Sequence, residues 1–168
     1  MKKTVLKFGL YGAVTICALF LISWFVLSDL PLSTQEVLGY VSMVVSLSFV
    51  FFGIKHFRDI QNGGTVSFKK ALIIGILISL ITALAFGVLD ILYTEVLNPD
   101  FMVSYYENAA ENLRSTLPAD QVEAKLAELE SQREMFSNPL MSFLLMAMTV
   151  FVIGFIISLI SALILQRK

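Results

Sequence analysis

The sequence predicts an all-α membrane protein with four transmembrane helices and an extracytoplasmic helical segment between the third and fourth. Three observations lead there. Hydrophobic residues make up 57% of the 168 and charged residues only 15%. Four apolar runs reach or approach the roughly 20 residues that cross a hydrocarbon core about 30 Å thick. The cations stand beside those runs, whereas the acids concentrate between the last two. We expect one membrane domain over residues 1–168, with spans at about 8–27, 37–54, 71–93 and 140–165.

The first run follows Lys2, Lys3 and Lys7 and stays uncharged from Phe8 to Leu27. A secretory signal also starts basic and apolar, but its apolar region is about 7–15 residues long and ends at a small-residue cleavage site. Here the run leads into Ser28-Asp29-Leu30-Pro31 without such a site, so a retained helix is expected, with Trp24 near its far interface. Cys17 lies inside it and is the single cysteine, which excludes an intramolecular disulfide and a cysteine-based metal site.

Pro31, Ser33 and Thr34 predict a turn, and Glu36 suits the start of a second helix, where the macrodipole favours an acid. Val37 to Ile54 is the second span. Its Ser42, Ser46 and Ser48 are expected to bond to their own helix or to a neighbour. Between Lys55 and Lys70 comes a polar island holding four cations and the only histidine. Asn62-Gly63-Gly64 supplies the positive-φ residues of a tight reversal. Thr65 or Ser67 is placed to cap the third helix.

That helix carries small residues at every fourth position, Ala71, Gly75, Ser79, Ala83 and Gly87. The spacing keeps them near one face and predicts close helix packing. Gly154 and Ser158, followed by Ala162, repeat the pattern in the fourth span, and Gly9, Ala13 and Cys17 do so weakly in the first.

Residues 95–139 differ in kind. Asn98-Pro99 ends the third helix, because proline restricts the residue before it. Phe101, Tyr105, Ala109 and Leu113 then recur at helical spacing, and Pro118 opens a second helix with Val122, Leu126 and Leu129 on one face. Asp120, Glu123, Lys125, Glu128, Glu130, Arg133 and Glu134 form its solvated side. A helical hairpin outside the bilayer is expected.

Counting cations near the spans orients the chain. Lys2, Lys3, Lys7, Lys55, Arg58, Lys69, Lys70, Arg167 and Lys168 all fall on one side of a four-span protein. By the positive-inside rule that side is cytoplasmic, placing both termini there in a multi-pass protein of the cell membrane.

The run Phe52-Gly53-Ile54-Lys55-His56-Phe57-Arg58-Asp59 is followed by Asn62-Gly63-Gly64, by Val66-Ser67-Phe68-Lys69-Lys70-Ala71 and by Gly75. With the early Tyr11-Gly12 pair and the later Asn98-Pro99-Asp100-Phe101, it resembles a bacterial membrane family known as domain of unknown function 4199. The resemblance covers nearly the whole chain. It implies a four-span integral protein of a bacterial inner membrane and carries no activity with it.

Each chemically suggestive group has a plainer reading beside it. Asp90 lies in an apolar run, and a carboxylate at the bilayer centre costs about 2.5–3.5 kcal/mol on insertion scales, so such residues often line ion or proton paths. Its place near the outer end of the span weakens that reading, since interfacial water is near. Lys55, His56, Arg58, Lys69 and Lys70 form a candidate lipid- or partner-binding set, with anionic headgroups worth about 1 kcal/mol per cation near the surface. One histidine and one acid are too few for a zinc site. The Gly63-Gly64 pair matches no phosphate-loop pattern. Met135, Met141, Met146 and Met148 are irregularly spaced and read as flexible packing rather than as a copper ladder. Tyr105-Tyr106 and Phe101 suit an interface.

No cofactor, no catalytic constellation and no nucleic-acid motif is expected. The sequence predicts a non-enzymatic helix-bundle interaction or accessory protein that associates with itself or with a membrane-protein partner. The alternative is an oligomeric small transporter or channel subunit using Asp90.

Overall fold

The computed structural model describes all residues except Asp29 and Lys168, and all described side chains except those of Leu32 and Ala119. Lys168, one of the cations used to orient the chain, therefore lies outside the described residues. Six α-helices follow in order: α1 (Lys2–Val26), α2 (Leu32–His56), α3 (Phe68–Leu92), α4 (Phe101–Thr116), α5 (Ala119–Phe136) and α6 (Pro139–Leu165). Phe57–Gln61 continues α2 as a π-helical turn, and Tyr93–Leu97 does the same for α3. Among the described residues the only β pairing is an isolated antiparallel bridge between Val66 and Arg167.

The helices Lys2–Val26, Ser33–Gln61, Phe68–Leu97 and Pro139–Leu165 are each long and apolar enough to cross a membrane. At about 1.5 Å per residue, even the 25 residues of α1 exceed a hydrocarbon core of about 30 Å. Local chemistry sets their ends. Ser67 Oγ accepts the Lys70 amide at 3.4 Å, so α3 begins a turn earlier than the apolar run does. Asn138 Oδ1 accepts the amides of Leu140 and Met141 at 3.0 and 3.3 Å, with Pro139 as the first residue of α6.

The chain divides into two compact units. The first comprises Met1–Phe86 and Met146–Lys168. Ile16, Leu47, Val50, Ile54, Ile74, Ile78 and Val150 are fully buried in it, and the Phe20 and Phe86 rings meet at 4.4 Å. Ser46, Ser79, Thr82 and Ser158 are buried too, while Val14, Val44, Ile160 and Leu163 are exposed. Hydroxyls inside and aliphatic side chains outside is the distribution that a lipid solvent permits and water penalises. The buried hydroxyls are satisfied locally: Ser46, Ser79, Thr82 and Ser158 each donate to the carbonyl four residues earlier.

The second unit is Gly87–Leu145. It holds the C-terminal turns of α3, the start of α6 and the helices α4 and α5. Tyr93 and Phe101 pack edge to face at 5.1 Å, and Tyr105 and Tyr106 do so at 5.3 Å. Asn98 Nδ2 donates to the Tyr93 hydroxyl at 3.1 Å, which fixes the exit from α3.

Candidate functional site

The polar island is assembled from three parts of the chain, all in the first unit. Gly63 and Gly64 have φ of 62° and 83°, a backbone that a side chain disfavours. They turn the chain so that the Gly64 amide reaches the Arg58 carbonyl at 2.8 Å. Asn62 Nδ2 then donates to the Thr65 carbonyl at 2.6 Å. Beyond the turn, the amides of Val66 and Arg167 bond to each other's carbonyls at 2.9 and 2.8 Å, pinning the C-terminal tail to the hairpin. Arg58 Nη1 donates to the Leu165 carbonyl at 3.3 Å, where the end of a helix welcomes a cation. Gln61 Oε1 accepts from the Met1 ammonium at 3.1 Å and from Thr4 Oγ1 at 2.8 Å, tying in the N-terminus.

Lys55, Lys69, Lys70 and Arg167 are exposed at this end, as are Lys2 and Lys3. Lys70 Nζ lies 5.0 Å over the Phe57 ring and 3.4 Å from Asn62 Oδ1, so its side chain is held. Arg58 is occupied by Asp59 through contacts of 2.6 and 3.2 Å. Asp59 is the only acid between Val37 and Leu89, so the cations outnumber what can neutralise them. His56 is half-buried, with its ring 5.3 Å from that of Phe8. No group of three or more His, Cys, Asp or Glu among the described residues is placed to hold a metal ion. The arrangement offers ammonium and guanidinium groups to an anion.

The small residues of α3 and α6 interlock. A Cβ on Gly75 would lie 2.7 Å from Ser158 Cβ, and one on Gly154 would lie 2.6 Å from Ser79 Cβ. Gly75 thus meets Ser158 while Ser79 meets Gly154, an antiparallel pairing in which each glycine admits the opposing serine. The two hydroxyls are 3.3 Å apart. Ala83 is buried in the same unit, and so are Ala71 and Ala162. Gly87 belongs to the second unit, where its close neighbour is Phe143. Ser42, Ser46 and Ser48 of α2 all bond back within their own helix.

Asp90 is also in the second unit and is only 5% exposed. Ser142 Oγ donates to Asp90 Oδ2 at 2.7 Å. Sequence reasoning passed over Ser142, because a serine near the start of a span carries no signal without the register of α6 against α3. It likewise missed the tie of Arg167 to Val66 and the junction at Gln61.

Between α4 and α5 lies an open cleft of about 790 Å³, lined by Tyr106, Ala110, Leu126 and Leu129 and by Arg114 and Arg133 among glutamates. Burial pushes the Tyr106 phenol above its ordinary pKa; Tyr105 and Glu130 act in the same direction, and Arg133 opposes them.

Comparison with curated proteins and with solved structures finds no match to this chain. A family model does match, over residues 7–167. That match takes in the island, the interlocked helices and the buried carboxyl, and the chain belongs to the family described as "Protein of unknown function (DUF4199)".

Proposed function

We propose that this protein is a non-enzymatic, multi-pass protein of a bacterial inner membrane, a four-span bundle that serves as an interaction or accessory protein. Both termini and the Lys55–Lys70 hairpin face the cytoplasm, and α4 and α5 lie on the opposite side. The basic end grips anionic headgroups through Lys55, Lys69 and Lys70, with His56 and Arg58 beside them. A second copy of the chain or another membrane protein packs against the lipid-exposed helices or α4 and α5.

The observation that carries this reading is the gathering of the N-terminus, hairpin and C-terminal tail into one cation-rich end with Asp59 as its local acid. Cations beside span ends set orientation, and each contributes about 1 kcal/mol near an anionic surface. The headgroup contribution falls with salt, because exposed charges are screened within about 10 Å at 0.1 M.

Reporter fusions test the orientation. A fusion after Lys70 is expected to be active only in the cytoplasm, and one between α4 and α5 only outside; activity outside after Lys70 ends this reading. Native mass spectrometry of protein released from mixed-lipid membranes tests the lipid contact and reports the oligomer. Retained anionic lipid is expected to fall by about 100-fold in affinity when Lys55, Lys69 and Lys70 are all changed to Gln, at about 1 kcal/mol each. Equal retention of anionic and zwitterionic lipid by the unaltered protein would remove the headgroup role.

A further inference from the structure

Several hydroxyls buried in this protein complete their bonding within their own helix, as Ser46, Ser79, Thr82 and Ser158 do. Asp90 does not. Its carboxyl is buried, and no Lys, Arg or His occurs in residues 87–113 or 134–145, the parts of its own unit that flank it and Ser142 in the sequence. None of the ion pairs among the described residues includes it. From α6 the group that faces it is the Ser142 hydroxyl, 2.7 Å away. On its own helix, Thr94 Oγ1 bonds the Asp90 backbone carbonyl at 2.9 Å, and the Tyr93 hydroxyl accepts from Asn98. Glu95, the next acid along the chain, is exposed.

A single hydroxyl donor does not balance a carboxylate withdrawn from water. Such a group is strongly disfavoured until a positive charge joins it. No described cation pairs with it, which leaves a charge from solution as the counterpart. We infer that the Asp90 carboxyl, with the Ser142 hydroxyl beside it, binds a monovalent cation: a proton or an alkali ion. Oxygen donors suit hard ions, and one carboxylate matches a single positive charge rather than two. No nitrogen or sulfur ligand stands in the pair to select a transition metal. The site goes beyond the interaction reading above and needs neither the basic end nor a particular orientation in the membrane.

Dicyclohexylcarbodiimide separates the two ions. It enters apolar sites and adds to a protonated carboxyl, whose O–H crosses the C=N bond and rearranges to a stable acylurea. A carboxylate that holds an alkali ion is protected. Full-length protein in lipid nanodiscs is treated in choline chloride and in lithium, sodium or potassium chloride, and the adduct is located by peptide mass spectrometry. Labelling at Asp90 that is indifferent to salt assigns the proton. Labelling in choline that is lost in one alkali chloride assigns that ion, and the same salt then raises the thermal unfolding midpoint.

The adduct is expected to vanish in Asp90→Asn. In Ser142→Ala, which keeps the carboxyl, labelling persists and alkali protection shifts to higher salt. Should Asp90→Asn fail to fold, the unaltered protein and Ser142→Ala still decide the matter. Absence of the adduct in choline, together with an unfolding midpoint equal in choline and all three alkali chlorides, overturns the proposal.

Discussion

Along α3, Gly75 and Ser79 meet Ser158 and Gly154 of α6 in one compact unit, whereas Gly87 and Asp90 meet Phe143 and Ser142 of the same helix in the other. The first contact is made of small residues whose hydroxyls are already bonded to carbonyls of their own helices. Its stability comes from the closeness that glycine allows, through van der Waals contact between backbones. The second holds a carboxyl that its own helix cannot satisfy, so its bond crosses to the neighbour. One contact depends on missing volume, the other on a matched polar pair. They are therefore expected to fail under opposite kinds of substitution.

The largest effect is expected from volume. Gly75→Leu places its Cβ 2.7 Å from Ser158 Cβ, an atom that moves only if the helix moves. Overpacking costs about 1–3 kcal/mol and occasionally more, and a leucine here belongs at the upper end or above it. Equilibrium unfolding in mixed detergent micelles measures this, and a loss below about 1 kcal/mol would mean that the helices part easily.

Next comes the polar pair. Ser142→Ala removes the donor bonded to Asp90 and is expected to cost about 1–3 kcal/mol, the penalty for a buried acceptor left unsatisfied. The smallest effect belongs to Ser158→Ala. Its hydroxyl is bonded to the Gly154 carbonyl at 2.6 Å and stands 3.3 Å from Ser79 Oγ, so the loss is expected near the membrane average of about 0.6 kcal/mol. Equal losses for the two serine substitutions would erase the distinction between the contacts.

Much of the architecture was legible beforehand because it rests on local patterns. The apolar runs mark the helices long enough to cross a membrane, and Asn62-Gly63-Gly64 marks the reversal that the two positive-φ glycines make. The four-residue spacing of Gly75, Ser79 and Ala83 marks the buried face of α3. Partners across the fold were not legible. Nothing in the sequence near Asp90 points 52 residues onward to Ser142, and nothing in Gln61 names Met1 and Thr4. The π-helical turns at Phe57–Gln61 and Tyr93–Leu97 also escaped, since their composition is that of ordinary helix ends.

By itself the sequence determined the helices, their polarity along the chain and the position of the glycine turn. Hydropathy, proline and glycine act within a few residues and need no knowledge of neighbours. Tertiary structure alone decided which serine faces Asp90, which glycine admits which serine, and that the C-terminal tail closes on the hairpin at Val66. These are matters of register between helices, and register is set by the fit of many side chains at once. The same local rules that place a carboxyl in an apolar helix leave its companion to be chosen by that fit.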